Sequence, residues 1–447
     1  VYKRQAMLIG VYNSAIFAGG ISAILINTPG TPASIASTFD GYKIVKRGYV
    51  RQAVWINTFY SVVGGIFGVI MLAIAAFPIA GFALKFGPAE YAALAIFGLS
   101  MMISVSGKSV IKGLIAGFLG LAVTTIGLDP MYATHRFSFG SPYLLAHISF
   151  LPIMIGLFGI GEVLNQVITP LPRGVLTSLE EKEEKNRLSL KEIWETKIPV
   201  LFSCFISVFI GAIPGTGGDI AGIISWDQSR RISKAGNEYG KGSKEALAVT
   251  CAANNASLGG AMTTMLTLGL PGDAPTAIMI GALMMYGYTP GPLLFRDHMD
   301  MVIIIIALMF LAYLYISLVG FMGTVAFTKL LRLPRSWISL AIFCFSLVGA
   351  YALNNAALDV LVCFISGVLG FIFRRTGFPL GPVIVALILG PIAEENIIRA
   401  LLLAGGDATV FITRPISLIL IIASIISLFL APFLTKIMKK KEEPANV

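Results

Sequence analysis

Charge is scarce in this chain. Only 13% of its 447 residues are Asp, Glu, Lys or Arg, against about 25% in a soluble domain. A surface built to face water all round is therefore excluded. Histidine is scarcer still, with His135, His147 and His298 alone, and no His-Glu-x-x-His occurs, so nothing points to zinc. The four cysteines, Cys204, Cys251, Cys344 and Cys363, lie far apart in apolar segments without metal spacing. They read as small buried hydrophobes. No Gly-x4-Gly-Lys-[Ser/Thr] is present, so no ATP-binding loop is expected, and no other cofactor motif is found. Intramembrane proteases use Gly-x-Ser-Gly or Gly-x-Gly-Asp. The first is absent and the second fails at Thr216. With no nucleophile–base pair in sight, an intramembrane enzyme is only the remote alternative.

Long apolar runs take the place of charge. The chain is 56% hydrophobic, and its mean hydropathy is +0.84. Runs of membrane-spanning length recur from end to end, which predicts an all-α, polytopic helical membrane protein. The runs are continuous rather than alternating, which argues against a β-barrel. The net charge of +10 sits in short loops between runs. That is the positive-inside pattern, so no nucleic acid is expected as a partner.

The basic loops thread the chain. Lys436, Lys439, Lys440 and Lys441 place the C-terminus in the cytoplasm. The polar loop from Arg173 to Lys197 carries six basic and six acidic residues. Acids count little for orientation, so this loop is also cytoplasmic. Lys43, Lys46, Arg47 and Arg51 then mark an inside loop, while the charge-balanced Arg296-Asp297-His298 lies outside.

Two segments resemble one interrupted helix used twice. The first contains Ile26-Asn27-Thr28-Pro29-Gly30-Thr31-Pro32. The second contains Leu268-Gly269-Leu270-Pro271-Gly272-Asp273-Ala274-Pro275. An offset of 242 places Asn13 on Asn255, Pro29 on Pro271 and Gly30 on Gly272. Proline removes a backbone donor and glycine relaxes the helix, so each motif should break its helix. Irregular backbone at membrane depth is tolerated only around an enclosed cavity. The segment after the first motif starts inside, and the segment after the second starts outside. The expected fold is therefore two inverted repeats with broken and re-entrant helices, a pattern of secondary transporters. The divisions are 1–172 for the first repeat, 173–197 for a cytoplasmic linker, 198–413 for the second repeat and 414–447 for a last helix with its basic tail.

A third interruption, Gly211-Ala212-Ile213-Pro214-Gly215-Thr216-Gly217-Gly218-Asp219, splits the run 198–226. Basic loops on both sides make it a re-entrant hairpin. The same offset puts its counterpart before Val1, so a further Pro-Gly hairpin is expected upstream.

Broken helices offer free N–H groups and a positive dipole end, which suit a carboxylate without a buried Lys or Arg. The candidate substrate-binding residues are Asn27, Thr28, Pro29, Gly30, Thr31, Pro214, Gly215, Thr216, Gly217, Asn254, Asn255, Gly269, Pro271 and Gly272. The alternative is that the glycines allow close helix packing and the hydroxyls cap helix ends. Ser14, Ser257 and Thr264 read as packing residues. Intramembrane acids are costly and functional by default. Asp219 and Asp273 are candidates for cation coupling, although Asp273 could equally be an N-cap. Glu162 and Asp359 read as paired or snorkelling.

Asn27-Thr28-Pro29-Gly30-Thr31-Pro32-Ala33 followed by Asp40-Gly41-Tyr42 resembles the large membrane subunit of tripartite tricarboxylate transporters. So do Lys85-Phe86-Gly87-Pro88-Ala89-Glu90-Tyr91, Gly127-Leu128-Asp129-Pro130, Arg136-Phe137-Ser138-Phe139-Gly140 and Ile155-Gly156-Leu157-Phe158-Gly159-Ile160. Pro214-Gly215-Thr216-Gly217, Asn254-Asn255 and Pro271-Gly272 fall on that family's glycine-rich motifs. The likeness spans nearly the whole chain. It departs at Asn13-Ser14, where the family often has Tyr-Gly, and in lacking the N-terminal Pro-Gly motif. The resemblance implies a multi-pass protein of the bacterial cytoplasmic (inner) membrane. It would import carboxylates with a small membrane subunit and a periplasmic solute-binding protein, driven by a Na⁺ or H⁺ gradient. A stand-alone ion-coupled carboxylate permease is the alternative.

The threading has a direct test. In cysteine-free protein, single cysteines introduced at positions 185 and 440 should react with a membrane-impermeant thiol reagent only from the cytoplasmic side. Periplasmic labelling at either position overturns the threading.

Overall fold

The computed structural model describes residues 2–27, 29–105, 110–129, 134–145, 148–168, 188–214, 217–323 and 335–426. Helices follow the apolar runs. α1 (Tyr2–Ile26) leads to a 3-10 turn (Pro32–Ser34), α2 (Ile35–Thr38) and α3 (Gly41–Lys46). α4 (Val50–Ala83), α5 (Pro88–Val105) and α6 (Val110–Thr124) follow. A two-stranded antiparallel ribbon pairs β1 (Gly127–Leu128) with β2 (His135–Arg136). After α7 (Pro142–Leu145), α8 (Phe150–Ile155) runs through a π turn (Gly156–Ile160) into α9 (Gly161–Ile168).

The second half opens with α10 (Leu190–Gly211), α11 (Gly217–Ile232), a 3-10 turn (Gly236–Glu238) and α12 (Lys244–Leu268). α13 (Ala274–Met285), α14 (Pro292–Asp297) and α15 (Met299–Met322) come next. α16 (Arg335–Asn354), α17 (Ala357–Thr376), α18 (Gly381–Leu403) and the single turn α19 (Val410–Thr413) follow, then α20 (Pro415–Ile426). Among the described residues, 7 helical segments are long and apolar enough to cross a membrane. The protein is a multi-pass, all-α membrane protein.

α10 starts inside the expected linker. Ser189 Oγ accepts from the N–H of Glu192 (3.2 Å), and the Glu192 carboxylate accepts from the N–H of Ser189 (2.7 Å). This Ser-x-x-Glu capping box starts the helix eight residues before Ile198. The acidic–basic run from Glu180 lies outside the described residues up to Arg187, as does the lysine tail.

The chain forms two compact units, Val1–Leu84 with Pro172–Leu333, and Lys85–Leu171 with Pro334–Val447. Each combines one part of both expected repeats. The repeat spacing recurs in the coordinates. α1 and α12 each have 25 residues, and their bounds differ by 242 at both ends. Each helix is followed by a left-handed residue, Asn27 (φ 54°) and Gly269 (φ 70°). Each break then folds back on its own helix. Gly30 donates its N–H to Gly19 O (3.3 Å), and Gly272 rests on Ala261, the position 242 after Gly19. Packing partners are exchanged. In the first unit α1 packs on α15 and α12 packs on α4; in the second, α18 packs on α5 and α6, while α8 and α9 pack on α16 and α17.

The first unit is built around α12, which is buried without interruption from Ala246 to Thr267. Its alanines and glycines let neighbouring backbones touch. A Cβ on Gly64 would lie 2.0 Å from Ala252 O, and one on Gly259 would lie 2.1 Å from Gly68 O. In the second unit Glu162 pairs with Arg374 (2.6 Å), and Glu90 pairs with Arg414 (3.0 Å). Arg136 bridges Asp129 and Glu394. Asp359 accepts from Asn354 Nδ2 (2.8 Å). Cys204, Cys251 and Cys363 are buried as expected; Cys344 is exposed, because its turn of α16 faces outward.

The α4–α12 contact gives a stability prediction. Gly64→Ala should cost about 1–3 kcal/mol, since the facing backbone cannot yield as a side chain would. Gly81→Ala, with nothing within 4 Å, should be neutral. Thermal melts of the detergent-solubilised variants compare the two, and equal midpoints would refute the close approach.

Candidate functional site

Thr250, Asn254, Ser257, Ala261 and Thr264 recur at three- and four-residue spacing, so they line one face of α12. All three interruptions meet that face. Thr250 Oγ1 takes a hydrogen bond from Ser37 Oγ of α2 (3.4 Å). Thr264 Oγ1 donates to Ala212 O at the end of α10 (2.6 Å). Ala261 carries Gly272.

The start of α11 closes the arrangement. A Cβ on Gly218 would come within 2.9 Å of Ser257 Oγ and 3.1 Å of Ala33 Cβ, with Asn254 Oδ1 at 3.9 Å. A Cβ on Gly217, whose φ is 40°, would come within 2.5 Å of Asp273 Cβ and 3.0 Å of Gly272 O. Only glycine fits there, because the hairpin break and the second break touch. The N-terminal ends of α11 and α13 therefore converge and bring two positive dipole ends together; at α13 Pro275 has no N–H and Asp273 Oδ1 takes that of Thr276.

Buried oxygens without a hydrogen-bond partner are Asn254 Oδ1 beside Gly218 and Thr31 Oγ1 beside Gly19, together with Asn255 Oδ1 and Asn13 Oδ1, whose residues bond to α15. Asn254 and Asn255 are each 1% exposed. Buried polar atoms are otherwise paired, so such atoms need an explanation. An Asn amide reads equally well with O and N exchanged. Asn254 can therefore present either end to a ligand.

The expected residues divide. Asn254, Asn255, Gly217, Pro271 and Gly272 are buried beside the convergence, as is Pro214. Thr31 is half-buried, with its side chain against Gly19. Pro29 and Gly30 are exposed. Asn27 is exposed and left-handed. Asn is the usual substitute for glycine in that conformation, so its identity follows from ending α1. Gly269 does the same for α12 and sits against Pro290 O. Gly30 and Gly272 pack tightly on their own helices, which is the packing role weighed for them. Thr28, Gly215 and Thr216 lie outside the described residues, as does the side chain of Asp219. Ser14 and Ser257 bond back to carbonyls of their own helices.

Two residues carry roles that the sequence does not signal. Asp40 appears there only as part of a motif, yet its buried carboxylate holds the site together. It accepts from Trp226 Nε1 (2.9 Å) and from the N–H groups of Gly240 (3.0 Å), Gly242 (2.8 Å) and Ser243 (2.9 Å). This ties the segment after the first break to the loop between α11 and α12. Arg47 adds a bond to Lys241 O (2.5 Å). Tyr12 donates its hydroxyl to Asp273 Oδ2 (2.7 Å) across 261 positions. Nothing local in the sequence marks either pairing.

The family model described as "Tripartite tricarboxylate transporter TctA family" matches residues 3–385. The chain is 34% identical over 412 residues to a protein of Agrobacterium vitis described as "Uncharacterized 52.8 kDa protein in TAR-I ttuC' 3'region"; the match covers 92% of this chain and 81% of that protein. It is 32% identical over 234 residues to a second protein of Agrobacterium vitis, "Uncharacterized protein in TAR-II ttuC' 3'region", covering 52% of this chain and 96% of that one. No solved structure matches.

The conformational role of Asn27 is testable without a ligand. Asn27→Gly should leave thermal stability unchanged. Asn27→Val should lose about 1–2 kcal/mol, the cost of a left-handed β-carbon. A stable valine variant would show that the left-handed turn does not end α1.

Proposed function

The chain belongs to the tripartite tricarboxylate transporter TctA family, and from that membership we propose that it is the large permease subunit of a binding-protein-dependent secondary transporter. It is a membrane transporter component. In this reading it imports tricarboxylates or related carboxylates across the bacterial cytoplasmic membrane. A small membrane subunit and a periplasmic solute-binding protein are its partners, and a Na⁺ or H⁺ gradient drives it. No covalent chemistry is assigned to it.

One observation carries the reading. Three interrupted helices converge on the polar face of a helix that is buried along its whole middle. Donors in that place are backbone N–H groups, amides and hydroxyls, with an unpaired atom of Asn254 beside Gly218 and one of Thr31 against Gly19. Such a site attracts a carboxylate and releases it again, since no buried Lys or Arg holds it. The matched bounds of α1 and α12 and the exchanged packing support two repeats, and the charge threading supports their inversion. The substrate groups would bind between Asn27–Thr31, Pro214–Gly217, Asn254–Asn255 and Gly269–Gly272. Asp219 and Asp273 are the groups proposed for ion coupling.

The tight seats of Gly30 and Gly272 make bulky replacements there uninformative. Side-chain deletions are cleaner. Asn254→Ala removes an unpartnered buried oxygen, and Thr31→Val removes the hydroxyl of the residue that caps the 3-10 turn. A hydrogen bond to a charged carboxylate is worth about 1.5–3 kcal/mol. Each change should therefore lower uptake of labelled citrate or succinate about 10- to 100-fold at limiting substrate. The assay is uptake into proteoliposomes holding the chain with its co-purifying subunits. Wild-type uptake in both variants would remove the site from this place.

A further inference from the structure

Helix capping accounts for only half of Asp273. Its Oδ1 caps α13, accepting from the N–H of Thr276 (2.9 Å) and from the Thr276 hydroxyl (2.7 Å). Its Oδ2 turns the other way, towards α1, and accepts from the Tyr12 hydroxyl (2.7 Å). Tyr12 is itself buried, at 4% exposure. The backbone of Asp273 also lies against Gly217 at the head of α11. This carboxylate thus joins the second break, the hairpin break and the helix that precedes the first break.

Among the described residues no counter-charge accompanies it: no ion pair includes Asp273, and all its donors are neutral. The basic residues of the helices around it are Lys3 and Arg4 on α1, Arg230 and Arg231 on α11, and Lys244 on α12. They stand two or more helical turns away in sequence from Tyr12, Gly217 and Asn254. Tyr12 is the titratable group facing it from α1. Asp219 follows Gly217 on α11, with its side chain outside the described residues. α13 carries no titratable side chain, and those of α12 (Lys244, Glu245 and Cys251) precede the site. No group of His, Cys, Asp and Glu side chains that could hold a metal ion occurs among the described residues. Three donors already cover the two oxygens, and Oδ2 keeps one lone pair. That leaves room for a proton and not for the oxygen cage of a metal cation.

We propose that Asp273 carries the coupling proton, with Tyr12 as the positioning residue that holds Oδ2. The proposal rests on the transport function and substrate site given above. A charged Asp273 and a carboxylate substrate beside α11 and α13 repel each other at short range and low dielectric. A proton from the outer water, taken on Oδ2, removes that repulsion and admits the substrate anion. Loss of the proton to the inner water restores the repulsion and favours release. No other bond forms or breaks. By reciprocity of linkage, the substrate also raises the affinity for the proton, which is the thermodynamic content of symport.

The experiment uses the chain with its co-purifying subunits in Na⁺-free proteoliposomes loaded with a pH-sensitive dye, with labelled citrate and succinate as probes. An acid-outside gradient of one pH unit should raise wild-type accumulation about tenfold per proton carried, with matching acidification of the lumen. In Asp273→Asn the ratio of accumulation with and without the gradient should fall to about one. Tyr12→Phe deletes one oxygen and removes a donor to the charged form. Its pH profile of exchange should shift upward by several tenths of a unit to about one unit. Gradient-driven accumulation in Asp273→Asn equal to wild type overturns the proposal. So does an unmoved profile in Tyr12→Phe, or wild-type accumulation that appears only once a Na⁺ gradient is added and ignores pH. Wild-type exchange without any response to the pH gradient sinks the coupling alone. Absence of exchange of both probes in wild type sinks the transport reading and this one with it.

Discussion

Every backbone N–H and C=O at membrane depth needs a partner, because hydrocarbon supplies none. Each unmade bond costs as much as an ordinary fold gains from several made ones. A helix can be broken there only where protein surrounds the break. The first unit meets this demand with α12, a helix hidden from Ala246 to Thr267. Its polar face receives the end of α10, the start of α11, the second Pro-Gly break and the segment after the first. Its small residues let α4 and α10 approach to backbone contact, as Gly260 against Val208 O and Gly64 against Ala252 O require. The exchanged pairing of α1 with α15 and of α12 with α4 follows from the same need. α12 is enclosed by α10 and α11 from its own half and by α4 and α1 from the other.

Much of this was legible in the sequence. The apolar runs gave the helices, because length and continuous hydrophobicity are local properties. The 242 spacing was visible as repeated Pro-Gly, and it returns in the bounds of α1 and α12. The capping box at Ser189 was readable too, although the charged residues around it pointed to a loop. Residue roles were harder. Asn27 looked like a ligand because it is polar and lies at a break; its φ of 54° shows a backbone reason for the same choice. The small residues of α12 gave no hint that they receive three different elements.

Long-range polar pairs left no sequence signal at all. Tyr12 sits in an apolar run, where a tyrosine reads as one more aromatic. Its hydroxyl meets Asp273 only because α1 and α13 are brought together by the fold. Asp40 stands among basic residues that orient the loop, which hides a carboxylate with a cage of donors drawn from positions 226 to 243. Periodicity locates elements and capping motifs locate their ends. Neither says which ends will meet.

Two acids of the first unit, the buried Asp40 and the half-buried Asp273, show how one residue type serves opposite purposes. Asp40 is 1% exposed and receives three backbone N–H groups and an indole N–H, so its lone pairs are filled. Asp40 thereby holds the segments it joins in place. Asp273 receives fewer donors, two of them hydroxyls that can rotate away. The backbone donors of Asp40 cannot turn; the hydroxyls of Tyr12 and Thr276 can. The rigid cage belongs to the acid that holds the elements in register, and the adjustable one to the acid beside the converging breaks. A transporter needs both kinds, since a site has to stay assembled while its charge changes.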